Sequence, residues 1–219
     1  MRLFKPNMVN WKYILGEIFL IFIGISLAIW FNNWNASNQI DENKRVAIDK
    51  IEEEIQNNLR ELVAARNINI KIPEALEAYK EMRSKTDGQV ISSISEMQLF
   101  QKSFPGFLLI NDSLRINDSI YSYSGDTKIN LELPVLSEIA WETSRNMGLT
   151  NAFGYECLYG LESMYNVQRL VQNEVNKAAE ALQTQEIARL LRILGFINQF
   201  DAKLEADYNS MLENISKCL

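Results

Sequence analysis

The sequence predicts an all-α protein with one N-terminal transmembrane helix, followed by a periplasmic helical bundle of long antiparallel helices. An apolar run at 14–31 carries a single charge, and a heptad pattern covers the last 30 or so residues. Strand-like alternation appears only at 127–133. We predict a short cytoplasmic segment at 1–13, a membrane span at 14–34, a stalk helix at 35–72 and a periplasmic helical domain at 73–219.

Aromatic residues flank the predicted span. Residues 14–31 give 18 positions, close to the ~20 that cross the hydrocarbon layer of a membrane. From Trp11 to Trp30 a helix rises roughly 28 Å, which suits two interfacial aromatic belts in contact with lipid. The predicted interfacial anchors are Trp11, Tyr13, Trp30 and Trp34.

The charges around the span predict its orientation. Arg2, Lys5 and Lys12 precede it, and no acidic residue comes before Glu17. An excess of cations marks the cytoplasmic side, so we expect the N-terminus inside and the C-terminal domain in the periplasm. The competing interpretation is a cleaved signal peptide, with Ser26-Leu27-Ala28 as a small-x-small site. The apolar run continues past that site, which favours a span.

One face of the span carries small and polar residues. At 100° per residue, Gly24 and Ala28 lie within about 20° of Glu17, and Asn35 lies almost directly above it. The Gly24-x-x-x-Ala28 spacing lets two helix backbones approach closely in lipid. We predict a helix-contact stripe at Glu17, Gly24, Ala28 and Asn35. For Glu17 three interpretations stay open: a tolerated end residue, a partner for a cation on another span, or a proton or ion site in an oligomer.

The outer part reads as successive helices. The Asn-rich connector after the span is the expected place for a break in the stalk helix. A helix from Pro73 to the Asp87-Gly88 turn is followed by a capping box at 95–98. The repeated Ile-Asn-Asp-Ser at 110 and 116 predicts capped helical turns plus a loop, and 127–133 alternates like a strand. Further helices are expected at 134–148, 155–182 and 187–218, the last with heptad periodicity.

The N-terminal sequence "WKYILGEIFLIFIGISLAIWFNNWN" resembles the signature of an uncharacterised Bacteroidota family of single-pass membrane proteins, a domain of unknown function. The block "LPVLSEIAWETSRNMGLTNAF" at 133–153 is similar to a second recurring block of that family. The resemblance implies a bacterial inner membrane and a single span, and it implies no catalytic residues. The matching residues are Gly16-Glu17-Ile18, Gly24-Ile25, Ala28 and Asn32-Asn33-Trp34-Asn35.

Composition narrows the chemistry. The chain has no histidine, which excludes Ser-His-Asp and Cys-His catalysis and the usual zinc sites. A net charge of -6 argues against nucleic acid as a partner. Cys157 and Cys218 are expected to be two free core thiols, or a disulfide if the domain faces an oxidising compartment. Asp201 falls in the heptad core, where we expect it to pair with Arg169 or Arg192. We predict no catalytic residue, no cofactor and no metal.

Three functions are compatible with these features. The leading one is a non-enzymatic scaffold or accessory subunit that self-associates or docks on a larger membrane complex. The second is a periplasmic helical-bundle sensor that binds a small ligand between helices. The third is an oligomeric proton- or ion-conducting protein that uses Glu17, which a Glu17→Gln exchange would test.

Overall fold

The computed structural model describes residues 11–83 and 89–219. It is mostly helical, with 75% helix and 10% strand, and it contains one long apolar N-terminal helix. In chain order the elements are α1 (Trp11–Asn69), α2 (Lys71–Met82), β1 (Val90–Ser93), α3 (Ile94–Ser103), β2 (Leu108–Arg115), β3 (Ile120–Thr127), α4 (Ile139–Asn146), α5 (Tyr155–Gln183) and α6 (Ile187–Asn214), with short 3-10 helices at Leu149–Ala152 and Ile215–Cys218.

Helix α1 runs without interruption for 59 residues, or about 88 Å at ~1.5 Å per residue. The break expected at the asparagine cluster is therefore wrong. Gly24 is the last helix-breaking residue before Pro73, and the asparagines of the cluster at 32–38 are exposed and leave the backbone hydrogen bonds intact. The first half of α1 is exposed, whereas from Ala47 onward one side is buried in the bundle.

The bundle core lies between α1, α5 and α6, with α4 against α1. Helices α5 and α6 are joined by a tight turn and run antiparallel, as the heptad pattern predicted. The α6 positions Leu190, Leu194, Ile197, Leu204 and Tyr208 are buried because they repeat on the side facing α5 and α1.

A three-stranded antiparallel sheet interrupts the helical chain, in the order β1-β3-β2. The prediction of an all-α domain is wrong on this point. Strands β2 and β3 show little alternation because most of their residues are exposed, with Leu108 and Tyr123 among the few buried ones. The second Ile-Asn-Asp-Ser copy forms their turn, where the Asn117 side chain accepts hydrogen bonds from the backbone of Ser119 and Ile120 at 3.0 Å each.

Several local predictions shift in position. The capping box joins Ser93 and Glu96 rather than lying at 95–98, and α4 begins at Ile139 rather than near Pro134. Gly148 has a φ of 71° just after α4, as expected for the residue that ends a helix. Residues 127–133 form no strand beyond Thr127, and 128–138 run extended across the bundle. The predicted Asp87-Gly88 turn lies outside the described residues.

Cys157 and Cys218 form a disulfide, with their Cα atoms 5.3 Å apart. The expectation of free core thiols is therefore wrong, and the alternative of a disulfide is confirmed. The bond ties the start of α5 to the 3-10 helix that follows α6. Antiparallel pairing of the two long helices brings these distant cysteines together, which spacing along the sequence could not show.

Candidate functional site

The predicted helix-contact stripe lies on the exposed first half of α1. The candidate span has a mean hydropathy of 2.4 over its most apolar window, and none of that window is buried; it qualifies by length and composition alone. Among the described residues, nothing lies within 4 Å of the position that a Cβ on Gly24 would occupy. Glu17, Ala28 and Asn35 are likewise exposed, so the stripe is accessible and its function stays a prediction.

The predicted aromatic anchors lie at both ends of the candidate span. Trp30 and Trp34 stack with ring centroids 6.5 Å apart, and Phe31 lies 5.9 Å from Trp34. Trp11 is exposed at the other end, and the Tyr13 side chain is outside the described part of the chain. This spacing along a continuous helix is typical of residues at the two lipid interfaces.

Sequence reasoning missed a buried polar network centred on Glu54 of α1. The Glu54 carboxylate accepts hydrogen bonds from Ser137 Oγ at 2.7 Å and Tyr165 Oη at 2.7 Å. It also accepts from the backbone N–H groups of Ala140 at 2.9 Å and Trp141 at 3.3 Å, in the first turn of α4. A carboxylate at a helix N-terminus is favoured by unpaired N–H groups and by the helix dipole. Glu54 thereby fixes α4 and α5 to α1.

The network continues through Asn58 to α5 and α6. Asn58 Nδ2 donates to Gln168 Oε1 at 3.2 Å, and Tyr208 Oη donates to the same oxygen at 2.7 Å. Burial raises the pKa of Tyr165, and the neighbouring Glu54 carboxylate raises it further. Burial also raises the pKa of Tyr208. Both hydroxyls stay protonated and act as hydrogen-bond donors to Glu54 and Gln168.

Two asparagines hold residues 128–138 against α1. Asn58 pairs with both backbone groups of Ser137, at 2.8 Å to N and 2.7 Å to O. Asn69 pairs in the same way with Glu132, at 2.8 Å to each group. Asn58 and Asn69 are eleven residues apart on α1, and their partners Ser137 and Glu132 are five residues apart in the extended segment. Both separations correspond to roughly 16–17 Å, so the two asparagines match the two peptides. The side-chain amides thus replace the strand partner that this extended segment lacks.

We predict that Asn69→Ala releases the segment at Glu132. Both hydrogen bonds to that peptide are lost, so the Glu132 amide should exchange with deuterium roughly tenfold faster or more. Hydrogen exchange with mass spectrometry of peptides covering 128–138 measures this. Asn67→Ala, at an exposed position on the same turn, is the matched control and should leave exchange unchanged. Equal exchange in both variants would contradict the role of Asn69.

Asp201 is buried in the α6 core, but it does not pair with Arg169 or Arg192 as predicted. Arg169 instead contacts Glu138 at 2.9 Å and Glu142 at 3.5 Å. The charge that favours the Asp201 carboxylate comes from Arg66 of α1, which forms an ion pair with Glu205. Asp201 Oδ1 is buried with no hydrogen-bond partner among the described residues. Burial therefore dominates and raises the pKa of Asp201 to about 7, against the opposing effect of Arg66.

The raised pKa of Asp201 predicts a pH-dependent stability. Between pH about 4 and 7 Asp201 is protonated in the folded state and ionised in the unfolded state. The stability that its protonated form contributes is therefore fully present below pH 4 and is lost as the pH rises to about 7. Asp201→Asn should remove this loss and stabilise the protein at pH 8 by about 2 kcal/mol. Urea unfolding at pH 5 and pH 8 checks it, with Glu213→Gln, at an exposed position of α6, as control. An unchanged pH profile in Asp201→Asn would refute the assignment.

Open grooves lie between helices of the described domain. One has a volume of about 660 Å³ between α5 and α6, lined by Tyr155, Tyr159, Gly160, Met164, Met211 and Lys217. Another has a volume of about 460 Å³ between α1 and α4. Both grooves are lined mainly by apolar atoms and are open to solvent. Concave, mostly apolar surfaces are typical of sites that bind apolar groups.

Trp141 and Glu142, neighbours in the block at 133–153, lie in different surroundings. Trp141 is fully buried and stacks on Tyr165 with ring centroids 5.4 Å apart, whereas Glu142 is at the surface beside Arg145 and Arg169. Within residues 11–83 and 89–219, no group of three acidic or cysteine side chains is placed to hold a metal ion.

No protein-family model, curated protein or solved structure matches this chain. The resemblance to the Bacteroidota membrane family stays a prediction that rests on the quoted motifs.

Proposed function

We propose that this protein is a non-enzymatic membrane-anchored scaffold that self-associates through the span and presents a rigid helical domain. The uninterrupted α1 carries the proposal. One helix includes both the candidate span and a core position of the bundle, so a contact made in the membrane fixes the domain without a flexible joint. A flexible hinge between the span and the domain would instead let the domain change its orientation independently of the contact in the membrane.

Rigidity at the domain end supports this role. Ile48, Ile51, Ile55 and Leu62 on α1 are almost completely buried in the bundle. Glu54 and Asn58 of the same helix hold α4 and the extended segment. A helix anchored by both apolar packing and a satisfied polar network cannot rotate independently of its domain.

The proposed location is a bacterial inner membrane, with the N-terminus in the cytoplasm and the domain in the periplasm. The Cys157–Cys218 disulfide supports it, because structural disulfides persist in oxidising compartments. The cations that precede the span support the same orientation. Labelling of an introduced cysteine at Lys203 with a membrane-impermeant maleimide in intact spheroplasts tests it. Labelling that occurs only after lysis would place the domain in the cytoplasm and contradict the proposed topology.

Mass measurement of the full chain in lipid nanodiscs or native detergent tests the scaffold. We expect a homo-oligomer that Gly24→Ile and Ala28→Ile weaken roughly tenfold or more, because a large side chain separates the helix backbones. The matched control is Ser26→Ile, since Ser26 lies about 180° away on the same helix and its exchange should have no effect. A monomer that co-purifies with no other membrane protein would overturn the proposal.

The α5–α6 groove favours a second candidate function, a sensor of a small apolar ligand. Tyr155, Tyr159 and Met164 line one side, and Asn214 and Lys217 supply polar groups at its edge. Gly160→Phe should fill the groove, because even a Cβ on Gly160 would meet Met211 Sδ at 3.4 Å. The probe is the fluorophore 1-anilinonaphthalene-8-sulfonate. Binding to the wild type that Gly160→Phe abolishes supports the sensor; equal binding argues against it.

A further inference from the structure

A further groove lies where the end of α1 and the start of α2 meet the turn after α3, with a volume of about 490 Å³. Ile68, Ile72 and Phe107 are among its apolar lining residues. Ile72 and Phe107 are buried, and the Phe107 ring packs edge-on against Tyr79 and Phe100 at centroid distances of 5.9 and 6.0 Å. The groove thus has a packed apolar floor and the size that a small organic molecule fills.

Polar side chains from separate elements of the fold surround this floor. They share one property, which is that none forms a side-chain hydrogen bond or ion pair with another of the described residues. These unpaired side chains belong to Asn67, Lys71, Ser103, Lys128 and Asn130. The groove therefore presents several hydrogen-bond donors that the folded chain itself does not use.

Both charged groups that line the groove are cations. Lys71 and Lys128 are exposed, and the described lining residues include no aspartate or glutamate. The α5–α6 and α1–α4 grooves, in contrast, contain acidic side chains, Asp207 and Glu54 among them. In a chain with a net charge of -6, a groove whose charges are all positive favours an anion as its ligand.

The backbone that carries the two lysines is fixed. Lys128 N donates to Phe107 O at 2.7 Å, and Phe107 N donates to Phe104 O at 3.2 Å, which closes the turn. Gly106 in this turn has a φ of 78°, a conformation that glycine adopts without strain. Lys71 is the first residue of α2. Binding therefore has to order the two lysine side chains, but not the chain that holds them.

We propose that this groove binds a small organic carboxylate, whose apolar body lies on the floor and whose two oxygens accept hydrogen bonds from Lys71 and Lys128. Charge-assisted hydrogen bonds supply the preference for the anion, and the floor supplies the preference for an apolar body. The groove begins at Asn67, about 50 Å of helix from Trp34, so the ligand comes from solution and is not a lipid headgroup beside the proposed span. This inference does not depend on the proposed self-association.

Isothermal titration calorimetry of the full chain in lipid nanodiscs, with empty nanodiscs subtracted, tests the site with naphthalene-2-carboxylate as the probe. We expect saturable binding that Lys71→Gln and Lys128→Gln each weaken roughly threefold or more, and that the double variant weakens roughly tenfold or more. The matched control is Lys80→Gln, an exposed lysine of α2 outside the groove, which should leave Kd unchanged. Gly160→Phe, in the α5–α6 groove, should also leave it unchanged.

Two comparison ligands separate the contributions of charge and apolar body. Naphthalene-2-carboxamide keeps the body without the charge, and acetate keeps the charge without the body, so each should bind at least roughly tenfold more weakly. The proposal is overturned if the carboxylate shows no saturable binding, if the double lysine variant binds it as the wild type does, or if the amide binds equally well. Weakening by Gly160→Phe instead of by the lysine variants would place the ligand in the α5–α6 groove and likewise overturn it.

Discussion

Replacing Glu54 with alanine is expected to destabilise the domain by about 4 kcal/mol. The exchange leaves two hydroxyl and two backbone donors, on Ser137, Tyr165, Ala140 and Trp141, without their common acceptor. Each buried donor left unpaired costs about 1–3 kcal/mol, and local relaxation recovers part of the sum. Glu54→Gln keeps the volume but turns an N–H₂ group toward donors, so an intermediate loss of about 2 kcal/mol is expected.

Urea unfolding of the full chain in detergent, followed by tryptophan fluorescence, measures this loss. Trp141 reports directly, because it is buried against Tyr165 and next to the network. Glu61→Ala is the matched control, an exposed glutamate on the same helix whose removal should leave the unfolding midpoint unchanged. Equal midpoints for Glu54→Ala and Glu61→Ala would show that the network adds no stability.

Removing the disulfide by Cys157→Ser with Cys218→Ser is expected to cost about 4 kcal/mol. The bond closes a loop with a sequence separation of 61 residues, which restricts the unfolded chain strongly. The C-terminal 3-10 helix should also detach first, because it packs on the bundle through Ile215 and the disulfide itself. The effect is measured as the shift in urea midpoint without reductant.

Reductant provides the control for the disulfide prediction. Dithiothreitol should lower the wild-type midpoint to that of the double serine variant and leave the variant itself unaffected. A thiol titration of unreduced, denatured protein should find no free cysteine. Two titratable thiols, or a wild type that reductant does not affect, would contradict the prediction.

Local spacing along the chain was enough to predict the large features of the fold. The apolar run with its terminal tryptophans predicted the long exposed helix, and the heptad of 187–218 predicted α6 and its buried face. A single sequence shows these features because a long helix buries residues at a regular spacing, and that spacing can be read along the chain. The sheet was not predicted because its strands are mostly exposed and so lack apolar–polar alternation. The asparagine cluster suggested a break in α1, but the helix continues through it.

Contacts between residues that are far apart in sequence, in contrast, were decided by the tertiary structure alone. Glu54 is one of several glutamates in the α1 sequence. Its partners, and those of Asn58, are set by α4, α5 and the segment 128–138, which place donors and acceptors against the two side chains. The surroundings of Asp201 and the pairing of Cys157 with Cys218 depend equally on how helices pack. Such contacts join positions tens of residues apart, and spacing along one chain does not encode their geometry.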